Sequence, residues 1–191
     1  MKSTFKIFLI IILMLFQACD IFESREPESP DQTRSNFRTP VEPSDVILNL
    51  KSAFQDKNAN DYQKNFSPGE PLFNKNFYFV PANDAQPNFP QPWTVSQEFT
   101  YFNNLVISTP NGFPLQLIFT NEEYQLQADS AIYTATYTIS IPVLNSDPEV
   151  YEGNVKYFMA LSNTVWAIYY WEDITKQSSQ SWSILKREFY L

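Results

Sequence analysis

Histidine is absent from the 191 residues, cysteine occurs once and glycine three times. Without His the chain lacks the commonest general base at neutral pH and the commonest metal ligand. A single Cys excludes an intramolecular disulfide and any thiolate cluster for zinc or iron–sulfur. Chemistry would fall to carboxylates, Tyr, Lys or Arg. An enzyme is therefore the less expected reading, and no catalytic residue, cofactor or metal ligand set is assigned. Basic residues are also few, 13 against 21 acidic ones, for a formal charge of −8. An acidic surface repels phosphate backbones, so nucleic acid is not the expected partner. Aromatic side chains, by contrast, make up 17% of the chain, ample for the core of one domain of about 150 residues.

Lys2 and Lys6 precede an unbroken apolar run from Ile7 to Phe16. Such a run rises about 15 Å as a helix, half a hydrocarbon core. It is too short to span and reads as the apolar part of a signal peptide, residues 1–18. Phe16-Gln17-Ala18-Cys19 resembles the lipobox of bacterial lipoproteins, with Phe16 where Leu is usual and Ala18 in the small position. The resemblance implies cleavage before Cys19 and lipidation of its thiol with palmitate-type chains. The protein would then be lipid-anchored on the extracytoplasmic side of the membrane, in the cell envelope. One acyl chain binds marginally; two anchor stably, at about 0.8 kcal/mol per buried methylene. The alternative is a secreted protein with a stray Cys beside its cleavage site.

Residues 19–42 read as a disordered tether, with Pro27, Pro30 and Pro40 among charged side chains and few apolar ones. As a flexible coil it reaches roughly 25–30 Å. Asn36-Phe37-Arg38 is the one stretch in it suited to docking on the domain.

Residues 43–191 read as a single α+β domain. Pro43-Ser44-Asp45 supplies a cap and an acidic first turn, and Val46, Ile47, Leu50, Ala53 and Phe54 follow a 3.6-residue period. Asn58 caps a second helix from Ala59 to about Phe66. Phe77–Val80 is a short strand, and Thr94…Gln97 is a capping box opening a third helix with the apolar stripe Val95, Phe99, Phe102 and Val106. Beyond Asn111-Gly112 the period becomes 2. Leu115–Thr120 and Tyr124–Gln127 alternate, and Ala131–Val143 sets Tyr133, Ala135, Tyr137, Ile139 and Ile141 on one face against Thr134, Thr136, Thr138 and Ser140 on the other. Strands follow at Val150–Leu161 and Thr164–Glu172, then a helical turn at Ser181–Lys186 and a final strand at Glu188–Leu191.

Helices followed by long antiparallel strands give an α+β class with helices packed on one face of the sheet. The order of elements is similar to the nuclear transport factor 2-like (SnoaL-like) superfamily. Ser44…Leu50-Lys51-Ser52-Ala53-Phe54…Lys57-Asn58 and the Trp166…Trp171-Glu172-Asp173…Ser181-Trp182…Leu185-Lys186 ending resemble envelope lipoproteins of that fold. The resemblance implies a cone: a strongly curved antiparallel sheet around a cavity closed by helices. It also implies a binding or assembly module, or an isomerase, dehydratase or hydrolase; the dehydratase-type His is missing here.

Candidate pocket residues are Tyr78, Trp93, Tyr133, Tyr137, Trp171 and Asp173. Trp93, after a Pro-rich loop, is either a lid or a packing anchor. Tyr133 and Tyr137 present hydroxyls to a cavity or fill the core. Glu98, in the first turn of the third helix, is explained by the helix dipole. Asp173 closes a strand, as a turn acid or at a cavity mouth. The expected partner, besides the membrane, is a small apolar ligand or an envelope protein bound without catalysis. One alternative is assembly, including homodimerisation, through the Thr-rich outer sheet face. The other is a carboxylate/Tyr isomerase or hydrolase, which needs a buried acid of raised pKa beside a Tyr hydroxyl.

Overall fold

The chain enters its domain before residue 43. In the computed structural model, which describes residues 35–86, 89–177 and 180–190, the Arg38 N–H donates to Asn49 Oδ1 and the Asn49 amide returns a bond to the Arg38 carbonyl. The Asn36 side chain reaches Asp56, and the Pro40 carbonyl accepts from Trp166 N–H. Residues 36–40, read from sequence as the end of the tether, are thus bonded to the domain. The apolar leader, Cys19 and the tether as far as residue 34 lie outside the described residues, as does Leu191. Among the described residues no helix is long and apolar enough to cross a membrane.

Helix α1 (Pro43–Gln55) begins at the Pro43-Ser44-Asp45 signal, with its cap just before it. Glu42 is the N-cap, and the Asp45 carboxylate accepts from the Val41 and Glu42 N–H groups. Its apolar stripe Val46, Ile47, Leu50, Ala53 and Phe54 is buried, as the period requires. Helix α2 (Ala59–Gln63) is capped by Asn58, which accepts from Asp61 N–H. It stops short of Phe66 because the Asn65 amide takes the carbonyls of Asp61 and Tyr62. Phe66 and Ser67 then turn to bridge Ile168. Helix α3 (Val95–Ser108) has the expected Thr94/Gln97 capping box, but its buried face is Glu98, Tyr101, Phe102 and Leu105; of the expected stripe only Phe102 is fully buried, and Val95, Phe99 and Val106 lie at its edge.

The sheet contains β1 (Tyr78–Val80), β2 (Gln116–Leu126), β3 (Ser130–Ile141), β4 (Glu149–Ser162) and β5 (Val165–Thr175), in the spatial order β1-β5-β4-β3-β2. The four long strands pair antiparallel; β1 departs from the all-antiparallel expectation by pairing parallel with β5. What sequence reads as two segments is one strand, β2, interrupted by an irregularity between Thr120 and Glu123, where Asn121 has φ +52°. A second register shift falls at Phe158/Met159. Such bulges add local twist and bend, and the sheet is curved with helices on one face. Along β3 burial alternates strictly, Tyr133, Ala135, Tyr137, Ile139 and Ile141 inward, the Thr row outward.

The last element corrects the sequence reading. Instead of a strand at Glu188–Leu191, residues Trp182–Tyr190 form helix α4. Ser181 Oγ accepts from Ile184 N–H at its start. Trp182, Leu185 and Lys186 recur at helical spacing and are fully buried, with Phe189 packed against the core behind them. Four residues at the end of the chain suited either period; the core-facing stripe that begins at Trp182 decides it.

Candidate functional site

The inner face of the sheet and helices α1, α3 and α4 enclose a packed interior. Trp171, Trp182, Tyr62, Tyr101, Tyr133, Tyr137, Tyr157 and Lys186 are all less than 2% exposed. The last of these is unusual in an interior, because burying an ammonium is costly unless it is paired and hydrogen-bonded.

Lys186 projects from α4 into an aromatic box. Its Nζ lies 3.4 Å from the ring centre of Trp171 and 3.7 Å from that of Phe79, with Trp93 and Tyr101 at 5.5 and 5.8 Å. Ring faces attract a cation electrostatically. The charge partner is Glu98 of α3, also fully buried, whose Oε1 receives the Lys186 ammonium. Glu98 is itself fixed by two further donors, the Tyr62 hydroxyl on Oε2 (2.9 Å) and the Trp93 indole N–H on Oε1 (2.7 Å). Burial pulls the Lys186 pKa down to about 8, against the opposing pull of Glu98. The same burial, with Glu98 nearby, pushes the hydroxyls of Tyr62 and Tyr101 well above the ordinary Tyr range.

A second polar cluster joins β3, β5 and the start of α4. Asp173 Oδ1 accepts from the Tyr137 hydroxyl (2.9 Å), and Oδ2 accepts from the Ser183 N–H (2.7 Å) and hydroxyl (2.5 Å). Tyr137 Oη in turn accepts from Trp182 N–H at 2.6 Å. Burial raises the Asp173 pKa to about 6, the hydrogen bonds only partly opposing it. Asp173 and Tyr137 thus have the composition of a carboxylate/Tyr acid–base pair. Both are enclosed, however, and each makes its hydrogen bonds to protein groups.

Gly153 makes this cluster sterically possible. It faces Tyr137 in the β3–β4 register, and a β-carbon there would overlap the Tyr137 hydroxyl and the Ile174 carbonyl. Gly153→Ala is expected to push Tyr137 off Asp173 and lower stability by about 1–3 kcal/mol. Urea denaturation would show a lower midpoint at unchanged slope.

The sequence candidates separate into three groups. Tyr137, Trp171 and Asp173 converge in the interior. Trp93 is 2% exposed, wedged among Phe79, Phe89 and Tyr190; it is a core residue holding Glu98 rather than a lid. Tyr133 stacks on Tyr157 and sends its hydroxyl to Glu122 on β2, away from Asp173. Tyr78 is 56% exposed on the outer sheet face, stacked on Tyr170, and lines no interior pocket. Sequence reasoning placed Lys186 in the closing helical turn without a site role, gave none to Tyr62 or Tyr101, and gave Glu98 only a helix-dipole role. The available signal was a lysine set beside Trp182 and Leu185 on the apolar stripe of α4.

Several open clefts lie outside this interior. One of about 470 Å³ is bordered by Lys64, Phe66, Pro68, Leu72, Phe73 and Val165, with Leu72 69% exposed. Another, about 500 Å³, lies between Val41, Pro43, Tyr124 and Trp166. Phe113, Val143 and Ser146 border two more, of about 340 and 680 Å³. Asp173, Tyr137, Glu98 and Lys186 line none of these.

No protein-family model matches the sequence, and no curated protein matches it. Several solved structures share its architecture. A nuclear transport factor 2-like protein with a cystatin-like fold from Novosphingobium aromaticivorans is 8% identical, with TM-score 0.51 over 70% of this chain and 79% of that one. A protein assigned as a dehydratase of the nuclear transport factor 2-like family from Streptomyces avermitilis is 10% identical, with TM-score 0.52 over 70% and 93%. A protein from Kribbella flavida is 11% identical, with TM-score 0.55 over 75% and 93%. At these identities the likeness is one of fold alone. The domain has the cone fold of nuclear transport factor 2-like proteins.

Proposed function

We propose that the chain is a lipid-anchored protein of a bacterial envelope whose cone domain binds a partner protein or a small apolar ligand and does not catalyse. The observation that carries the non-catalytic part is the filled interior: the acid and Tyr that chemistry would need are enclosed, and protein donors and acceptors take up their hydrogen bonds. A substrate has no open route to them through any of the clefts described. The apolar cleft around Phe66, Leu72 and Phe73 is the surface best suited to a partner, since it joins exposed apolar area to a polar rim. Photo-crosslinking from position 72 in cells is expected to give a discrete adduct that Val165→Glu, on the part-exposed rim of the cleft, abolishes. A purified chain that turns over a small carbonyl or epoxide substrate, with loss of turnover in Asp173→Asn, would reverse the reading.

The anchor rests on the lipobox resemblance and is tested separately. Cells fed labelled palmitate are expected to label the wild-type chain and not Cys19→Ala, which should leave the membrane fraction. Mass spectrometry of the mature N-terminus should find acylated Cys19 as its first residue.

A second reading, assembly through the outer sheet face, has its own support. Tyr78, Tyr170, Phe158 and Ile132 align across four strands of that face, with Tyr170 stacked near Tyr78 and edge-on to Phe158. Light scattering on the wild type should then give a dimer mass, and Tyr170→Glu a monomer.

A further inference from the structure

We infer that the centre of the cone is a recognition site for a primary alkylammonium group, occupied in this structure by the chain's own Lys186, and that a free alkylammonium ligand competes with Lys186 for it. The site has the parts that such recognition needs. Ring faces of Trp171, Phe79, Trp93 and Tyr101 surround the ammonium, an arrangement used to bind ammonium ligands generally. Glu98 supplies the counter-charge, and the Tyr62 hydroxyl and Trp93 indole orient it independently of Lys186. The carboxylate is therefore already aimed when any ammonium arrives.

Two further observations separate this from an ordinary core. A buried ion pair is a poor way to gain stability, because apolar side chains of the same volume often do as well or better, and Lys186 stands on the buried stripe of α4. The interior also holds two polar atoms, Tyr157 Oη and Trp171 Nε1, that are fully buried and make no hydrogen bond to any protein group. Such atoms are uncommon and call for a physical reason. Trp171 is the ring nearest the ammonium, and Tyr157 packs edge-on to it at 5.1 Å.

Lys186 occupies the site as part of α4, so exchange requires that helix to lift. Its first turn is fastened by Ser183 and Trp182 to Asp173, Tyr137 and Tyr101, and ligand and helix exclude one another at Glu98. This inference is independent of the lipid anchor and of both surface readings, which stand if it fails.

The test uses the mature chain with n-butylammonium chloride, with sodium chloride and 1-butanol as ionic and neutral controls. Lys186→Ala is expected to melt below the wild type. Butylammonium should restore its melting temperature saturably, with 1-butanol giving little. In the wild type, butylammonium at roughly ten times its dissociation constant for the open form should speed amide hydrogen exchange across Trp182–Tyr190 by roughly ten-fold, rising further with concentration, while α1 and α3 keep their protection. Equal rescue by 1-butanol would mean cavity filling only and overturn the proposal. So would rescue of the variant with no change of exchange in the wild type, which would make Lys186 a fixed structural residue. If Lys186→Ala does not fold, the wild-type exchange experiment decides alone.

Discussion

Glu98→Leu is expected to lose about 3–5 kcal/mol of folding stability, the cost of leaving a buried charge without its partner. Lys186 would remain in an interior where it is fully enclosed, and the Tyr62 hydroxyl and Trp93 indole would lose their acceptor as well. Domains of this size have only about 5–15 kcal/mol in total, so the variant sits near the edge of folding at room temperature. The double variant Glu98→Leu/Lys186→Met should recover much of the loss, because it removes both charges and keeps the volume. Urea midpoints of the wild type, both single variants and the double variant form the required cycle. Two single losses that simply add in the double variant would show that the two side chains do not act as a pair.

The second large effect depends on pH. Asp173 in the fold has a pKa of about 6, against 3.8 as its ordinary value. Below the lower value the carboxyl is protonated in both states, and its contribution to stability is complete. As pH rises from about 4 to 6, the unfolded chain releases the proton while the folded chain retains it, so the contribution is lost. The interval corresponds to on the order of 3 kcal/mol. Asp173→Asn removes the titration and keeps the shape, its amide able to donate to Tyr137 and its oxygen to accept from Ser183. The stability of the wild type minus that of Asp173→Asn should therefore fall by that amount between pH 3.5 and 7. A difference that stays flat over this range would mean that Asp173 ionises as freely in the fold as in water.

The parts legible in sequence were those decided locally. The Thr94/Gln97 box, the α1 stripe and the alternation of β3 depend on neighbours within a few residues, and each formed as its pattern requires. The ion pair depends on residues 88 positions apart, and each member looked ordinary in its own segment. Glu98 sits in a first helical turn where an acid is welcome. Lys186 lies in a short segment whose helical stripe was partly hidden by an ending that also suits a strand. Tyr137 and Asp173 were each legible as inward-facing, but their meeting is set by β4 between them and by the one glycine that lets a Tyr hydroxyl pass. Trp93 and Tyr78 show the converse limit. An aromatic ring beside a turn or at a short strand carries no mark of which side of the sheet it will take.

The irregularity in β2 has a consequence for how copies of the molecule behave together. An outermost strand of eleven residues is long enough to template the addition of another chain, and such templating leads to fibrous aggregates. At Asn121 the left-handed backbone breaks the even spacing of edge donors and acceptors, and Glu122 and Glu123 follow it immediately. A neighbouring copy offering the same edge would meet a kink and like charge at once. Straightening the backbone at Asn121 with Thr, while Glu122 keeps its bonds to Lys51 and Tyr133, would remove this safeguard against polymerisation.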